Sequence, residues 1–202
     1  MKPNIVLVMC DQLRYDRLGV MGDPIIQTPN IDALSREGLI FENAYCPSPV
    51  CTPSRASVKT GLFPPGNGMV NNWVPFKEQV ADSTDIREYL LPERLRALGY
   101  NTGMAGKLHF VPAEDNFGFD FKSLNDAPYS IYANDDKNSA YIKWLRENHF
   151  KDEDIVKIFD KDESYFPDNI YDFIMGSGWR TEEQHDIPWT IQESINFVDN
   201  RD

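Results

Sequence analysis

Cysteine is too scarce in this chain to hold it together. There are three cysteines, at positions 10, 46 and 51, in 202 residues. An odd count cannot pair completely, and Cys10 lies inside an apolar run where a thiol is expected to be buried, so no disulfide scaffold is expected. Cys46 and Cys51 are close enough in sequence to pair or to share a metal, but no second Cys/His pair at zinc-site spacing accompanies them. Positive charge is also in short supply. Lys and Arg number 20 against 32 Asp and Glu, a formal net charge of −12. Nucleic acid and anionic membrane both need a basic face, so neither is expected as a partner. A small anionic substrate needs only a local cluster of positive groups and stays open. No hydrophobic run approaches membrane-spanning length. The start, "MKPNIVLVMCDQ", lacks a small-residue cleavage site and reads as a first strand rather than a signal core. The expectation is a cytoplasmic protein, or a periplasmic or secreted one if a leader has been removed.

What is present suits a folded domain. Hydrophobic residues make up 41% and charged residues 26%, close to globular averages. Fourteen prolines and twelve glycines suggest many loops on a rigid framework. Ile5 to Cys10 is apolar and β-branched, the pattern of a strand buried on both faces of a parallel sheet. It ends abruptly at "DQLRYD", and ligands of open α/β sheets gather beyond such strand ends. In "TPNIDALSREG", Thr28 is the expected N-cap, Pro29 the first helical residue and Gly38 the stop, with Ile31, Leu34 and Leu39 on the buried side. "LIFENAY" reads as another strand. Pro53 and Gly61 bracket a short helix.

A further helix is expected over Ile86 to Leu98, with Leu90, Leu91, Leu95 and Leu98 on one face and Gly99 as its stop. "YNTGMAGKLHF" comes next as strand and then loop, so the rhythm is strand–helix–strand. Residues 112–180 read as loop-rich, aromatic and acidic. "AYIKWLRENH" is the clearest helix there, and "KDEDIVKIFDKDES" reads as a solvated face. A last helix begins near Pro188, with Ile191, Ile195 and Val198 on one side.

Three groups of residues draw attention. Cys51 stands just before the helix that Pro53 opens, a position near unpaired N–H groups that stabilises an anion. Arg55 is one turn on and can reach back towards it. A capping turn with a buried thiol has the same pattern, and geometry alone leaves the two readings open. Asp11, at the end of the first strand, is either a turn residue or a ligand. Lys107 and His109 in "AGKLHF" stand at i and i+2, so an extended backbone would point both into one pocket.

Cys51-Thr52-Pro53-Ser54-Arg55, continuing into "ASVKTG", resembles the signature of type I sulfatases. "PNIVLVMCDQLRYDRLG", "TPNIDALSREGLIFENAYCPSPVC" and "GKLHF" stand in that family's order and spacing, densely from Pro3 to about Phe110. The resemblance implies an α/β fold, the alkaline-phosphatase-like sandwich with a central, mostly parallel sheet flanked by helices. It implies that Cys51 is oxidised by a maturation enzyme to formylglycine, whose hydrate is the nucleophile, while Cys46 packs. Asp11, Gln12 and the modified Cys51 become ligands of a divalent cation, with Ca²⁺ ahead of Mn²⁺ or Mg²⁺.

On the same resemblance, Arg55 and Lys107 stabilise the nucleophile and the charge on the sulfate oxygens, Lys107 binds a sulfate oxygen, and His109 accepts a proton near the hydrate. His185, before "DIPWTIQESINFV", binds sulfate or protonates the leaving oxygen; His149 reads as structural. The implied activity is hydrolysis of a sulfate monoester, on a small molecule or a carbohydrate. Many sulfatases have a second aspartate where this chain has Gln12. The Asp-Gln pair occurs in many bacterial sulfatases and also in related phosphonate and phosphate ester hydrolases, which are the nearest alternative. Residues 1–202 correspond to the N-terminal part of such a catalytic domain. Further metal ligands and a second lysine are expected downstream, so an inactive fragment or binding module is the other alternative.

Overall fold

The structure, a computed structural model, describes residues 2–72, 86–126, 139–148 and 185–200. The chain divides into two compact units, Met1–Cys46 and Pro47–Asp202.

In the first unit the expected strand over Ile5–Cys10 is not formed, and its residues, Cys10 included, are exposed. "LIFENAY" is likewise no strand, and Cys46 is exposed rather than packed. A β-branched run becomes a strand only when neighbouring strands complete its ladder, and this unit supplies none among its described residues. Two short 3-10 helices, Tyr15–Arg17 and Gly19–Met21, lead to helix α1, Pro29–Glu37. Pro29 opens α1 as expected, but the Thr28 hydroxyl does not cap it. That hydroxyl instead accepts the Gly19 N–H at 2.8 Å and donates to Asp32 Oδ1 at 2.7 Å. Asp32 also accepts the Val20 N–H at 2.9 Å, so one carboxylate ties the loop to the helix. Ile31, Leu34 and Leu39, the expected buried side, are exposed.

The second unit is built around two parallel strands. Helix α2 spans Cys51–Thr60 and α3 spans Pro64–Asn67. Gly61 ends α2 at φ 72°, its N–H returning to the Ser57 carbonyl, the left-handed cap that glycine adopts without strain. The long helix expected from Ile86 is divided: a 3-10 helix covers Ile86–Tyr89 and α4 covers Leu91–Ala97. Pro92 is the reason, since it has no N–H to give the preceding turn and its ring disfavours helical geometry before it. Leu90 is buried, whereas Leu91 and Leu98 are exposed. Gly99, at φ 78°, completes the helix end. Its N–H goes to Arg96 O at 2.8 Å and that of Tyr100 to Leu95 O at 3.1 Å, a Schellman pair.

Strand β1, Gly103–Gly106, falls where expected and pairs in parallel with β2, Phe121–Leu124. β2 lies inside the stretch read as loop. Helix α5, Ala140–Glu147, starts at Ser139, whose side chain accepts the Ile142 N–H. Helix α6 covers Asp186–Asp199 and packs on the sheet. Its inward residues are Trp189, Thr190, Glu193 and Phe197, while Ile191, Ile195 and Val198, which share one side as expected, are exposed.

The choice of face is set by β1. A Cβ at Gly103 would stand 2.6 Å from the Phe197 ring, and one at Gly106 would stand 3.0 Å from Thr190 Cγ2. Two glycines therefore let α6 approach the strand, and Phe197 stacks on Phe121 with ring centroids 5.3 Å apart. One core joins Ala56 of α2, Met69, Ile86, Leu90, Leu108, Phe110, Phe117 and Leu124. A smaller one joins Tyr141, Ile142 and Leu145 of α5 to Trp189 of α6. His149 and the segment "KDEDIVKIFDKDES" lie outside the described residues.

Candidate active site

Helix α2 begins at Cys51 itself, two residues earlier than Pro53 suggests, with Val50 as N-cap. Proline is tolerated at its third position because the first N–H groups of a helix have no intrahelical partner. Ser54 makes the first return bond, to Val50 O at 3.0 Å. The Thr52 N–H is taken by Asn72 Oδ1 at 2.9 Å, a partner that no sequence signal reveals. Cys51 is half-buried and not in a disulfide.

Lys107 and His109 leave the carboxyl end of β1, and Asp126 leaves that of β2. Because the two strands are parallel, the segments leaving them emerge at one edge of the sheet, where α/β proteins place their ligands. Lys107 Nζ stands 3.8 Å from Cys51 Sγ, which joins strand end and helix start in one site. Arg55, expected to reach back towards Cys51, is buried and donates from Nη1 to the Lys107 carbonyl. It holds the lysine's backbone, one step removed from the sulfur.

His109 is buried at φ 59°, the left-handed region. A non-glycine residue there costs about 1–2 kcal/mol. Two side chains hold it: Asp126 Oδ2 accepts the His109 N–H at 2.9 Å, and Thr52 Oγ1 donates to the His109 carbonyl at 3.0 Å. At about 1 kcal/mol each, these bonds offset the backbone cost. The expectation that Lys107 and His109 share one extended face does not hold, because the left-handed turn at 109 breaks the alternation.

Buried charge gathers beneath Cys51. Cys51, Arg55 and Lys59 succeed one another at intervals of one turn along α2. Lys59 is buried, with Nζ 5.6 Å from the centre of the Phe110 ring. Burial first, and the Arg55 charge second, lower its ammonium pKa to about 8, with Asp126 opposing. Burial raises the Asp126 carboxyl above the usual carboxylate range, against the His109 N–H and the charges of Arg55 and Lys107.

His185 lies elsewhere in the same unit, as the N-cap of α6, with Nδ1 2.7 Å from Asp186 Oδ1. Its described contacts are local. The neighbouring Asp186 connects it to the strand ends, its Oδ2 accepting from Asn125 Nδ2 at 3.0 Å. Asp11 and Gln12 belong to the first unit, where Gln12 turns the chain at φ 54°. Their two adjacent oxygen donors suit a hard divalent cation, whereas a thiol sulfur does not. Among the described residues no three of His, Cys, Asp and Glu gather as a metal cluster.

A cysteine at a helix start, faced by a lysine from the end of a parallel strand, defines an α/β protein with a thiol and a cation meeting beyond the strand ends. The sulfatase family profile matches residues 3–189. The chain belongs to the sulfatase family, whose fold is alkaline-phosphatase-like.

An arylsulfatase of Clostridium perfringens is 35% identical over 212 residues, covering all of this chain and 40% of that protein. The N-acetylgalactosamine-6-sulfatase of Rattus norvegicus is 34% identical over 97% of this chain and 36% of its own length. Human arylsulfatase A is 44% identical over 57% of this chain and 24% of its own. The chain thus spans about two fifths or less of the length of these relatives.

Proposed function

We propose that this chain carries the nucleophile side of a sulfuric ester hydrolase and that Cys51 is its precursor nucleophile. The observation that carries the reading is the 3.8 Å approach of Lys107 Nζ to Cys51 Sγ at the start of α2, in a chain of the sulfatase family. A maturation enzyme oxidises Cys51 to formylglycine, and one hydroxyl of its hydrate attacks the sulfur of R–O–SO₃⁻ as the alcohol departs. Deprotonation of the second hydroxyl expels sulfate and restores the aldehyde, so each cycle consumes one water.

Lys107 binds a sulfate oxygen and, with the N–H groups at the start of α2, stabilises the charge there. His109 accepts the proton of the hydrate, and His185 binds sulfate or supplies the proton to the leaving alcohol. Asp11, Gln12 and oxidised Cys51 would hold a divalent cation, Ca²⁺ ahead of Mn²⁺ or Mg²⁺, which supplies positive charge to nucleophile and sulfate. Sulfated carbohydrate is the proposed substrate class, in line with relatives named as N-acetylgalactosamine-6-sulfatase and ulvan-active sulfatase.

Peptide mass spectrometry across residue 51, with parallel assays on an aryl sulfate and a phosphonate monoester, tests this. An aldehyde at 51, preference for the sulfate and loss of turnover in Cys51→Ala are expected. Wild-type turnover by Cys51→Ala would end the proposal, and preference for the phosphonate would move the protein to the related hydrolases.

A further inference from the structure

We propose that Asp126 is a positioning residue which, together with Thr52, clamps the backbone of His109 and so sets the histidine against the nucleophile. The inference rests on the sulfatase reading of Cys51 and His109 and adds a residue to that site. The β1–β2 ladder ends with Gly106 opposite Leu124, and the Asn125 N–H bond to Gly106 O, at 3.1 Å, is its last rung. Beyond that rung the strands no longer pair, and the peptide groups of residue 109 are taken by side chains instead.

Asp126, two residues past β2, accepts the His109 N–H, and Thr52, directly after Cys51, donates to its carbonyl. One end of the clamp is thus anchored on the sheet and the other on the residue adjoining the nucleophile. Both ends act on a residue whose left-handed backbone would otherwise relax, and strain maintained in this way marks a functional constraint more often than a packing one. Asp126 is itself buried and close enough to Arg55 and Lys107 to feel their charges, which oppose but do not cancel the cost of its burial. Its placement explains how the backbone of a histidine without a regular strand around it keeps its left-handed turn.

The test is made on the full-length, matured protein with an aryl sulfate. Rates are counted per formylglycine determined by mass spectrometry, and melting is monitored for every variant. Asp126→Ala should lower kcat per matured site by about tenfold to a hundredfold, the scale of a misplaced catalytic group, with KM changed by less than about threefold. Asp126→Asn keeps an oxygen acceptor for the His109 N–H and should restore kcat to within about threefold of wild type.

Thr52→Val and Thr52→Ser probe the other end in the same way and decide the matter if Asp126→Ala does not fold. Melting alone cannot mimic this pattern, because a merely structural role leaves kcat per folded, matured site unchanged. An active wild type with an unimpaired Asp126→Ala, or with an Asp126→Asn as slow as the alanine variant, would overturn the clamp. So would equal rates for Thr52→Val and Thr52→Ser. An inactive wild type carrying formylglycine would overturn the sulfatase reading itself.

Discussion

In the unit from Met1 to Cys46, Val6 and Val8 stand 80% and 81% exposed, and no described residue is buried. In the unit from Pro47 onwards the buried residues include Arg55, Lys59, His109 and Asp126. Both features depart from the usual distribution, in which apolar side chains are inside and charges outside. The contrast teaches that in the second unit charged groups are buried beside an apolar core, around the segment that faces Cys51. Leu108 and Phe110 flank His109 and enter the core, and the polar residues between and beneath them are carried inward with the loop. Each buried charge has a compensating neighbour: the Lys107 carbonyl for Arg55, the Phe110 ring for Lys59, two backbone N–H groups for Asp126. Burying charges costs stability even when they are compensated, and a function would explain why that cost is kept.

The sharpest way to break that comparison is Lys107→Met. If the cationic cluster exists for chemistry, removing the ammonium beside Cys51 should lower kcat on an aryl sulfate by about 10²–10³-fold, the usual loss for one preorganised donor. Melting should change little, because the side chain is only partly buried. A near-wild-type kcat would mean that the cluster serves packing alone. Next comes Gly103→Ala, which adds a methyl where the Phe197 ring stands 2.6 Å away. The ring is stacked on Phe121 and cannot swing freely, so a loss of about 1–3 kcal/mol is expected, read as a lower melting temperature. An unchanged melting temperature would show that α6 is loosely held on the sheet.

How legible these features are differs residue by residue. Pro53, Gly61, Pro29 and Gly99 announce helix ends because their backbone chemistry is local, although α2 starts two residues before the position Pro53 suggests. Pro92 is equally local, yet the leucine pattern running across it predicts one helix where two segments exist. "FKSL" carries no alternation of its own and becomes β2 only through its pairing with β1. Ile5–Cys10 has a strong strand pattern and no ladder, the converse case. Cys51, Arg55 and Lys107 are legible through their motif, and the structure brings the three together. Asp126, Thr52 and Asn72 are not, because a side chain that holds another residue's backbone leaves no periodic or compositional trace.

Lys59→Met asks whether the buried ammonium is a burden on stability. The folded-state pKa, lowered to about 8, lies below the ordinary lysine value of 10.5. At pH 7 both folded and unfolded forms are protonated, and the full penalty of burying the charge is present. Between pH 8 and 10.5 the folded form releases its proton first, the unfolded form binds more protons, and stability rises with pH. Methionine keeps the length of the side chain without the charge, so the variant should be more stable at pH 7 by about 1–3 kcal/mol. The difference between variant and wild type should shrink as pH rises from about 8 to about 10. Equal melting of the two proteins at both pH values would show that the Phe110 ring and Asp126 fully compensate the charge.

The smallest effect belongs to the exposed apolar surface of the first unit. Leu39 is 86% exposed, so Leu39→Ser removes no buried contact and should change the stability of this chain by less than about 0.5 kcal/mol. Leu108, fully buried in the core beside His109, is the matched control: Leu108→Ala should cost about 2–5 kcal/mol. Denaturant melts of the two variants measure the same residue type in the two units. If Leu39→Ser destabilised the chain as strongly as Leu108→Ala, the apolar residues of the first unit would be packed in solution, and the contrast between the units would vanish. If it does not, Leu39 contributes no buried contact to the stability of this chain. The polar pocket under Cys51 would then be held by the second unit's own core.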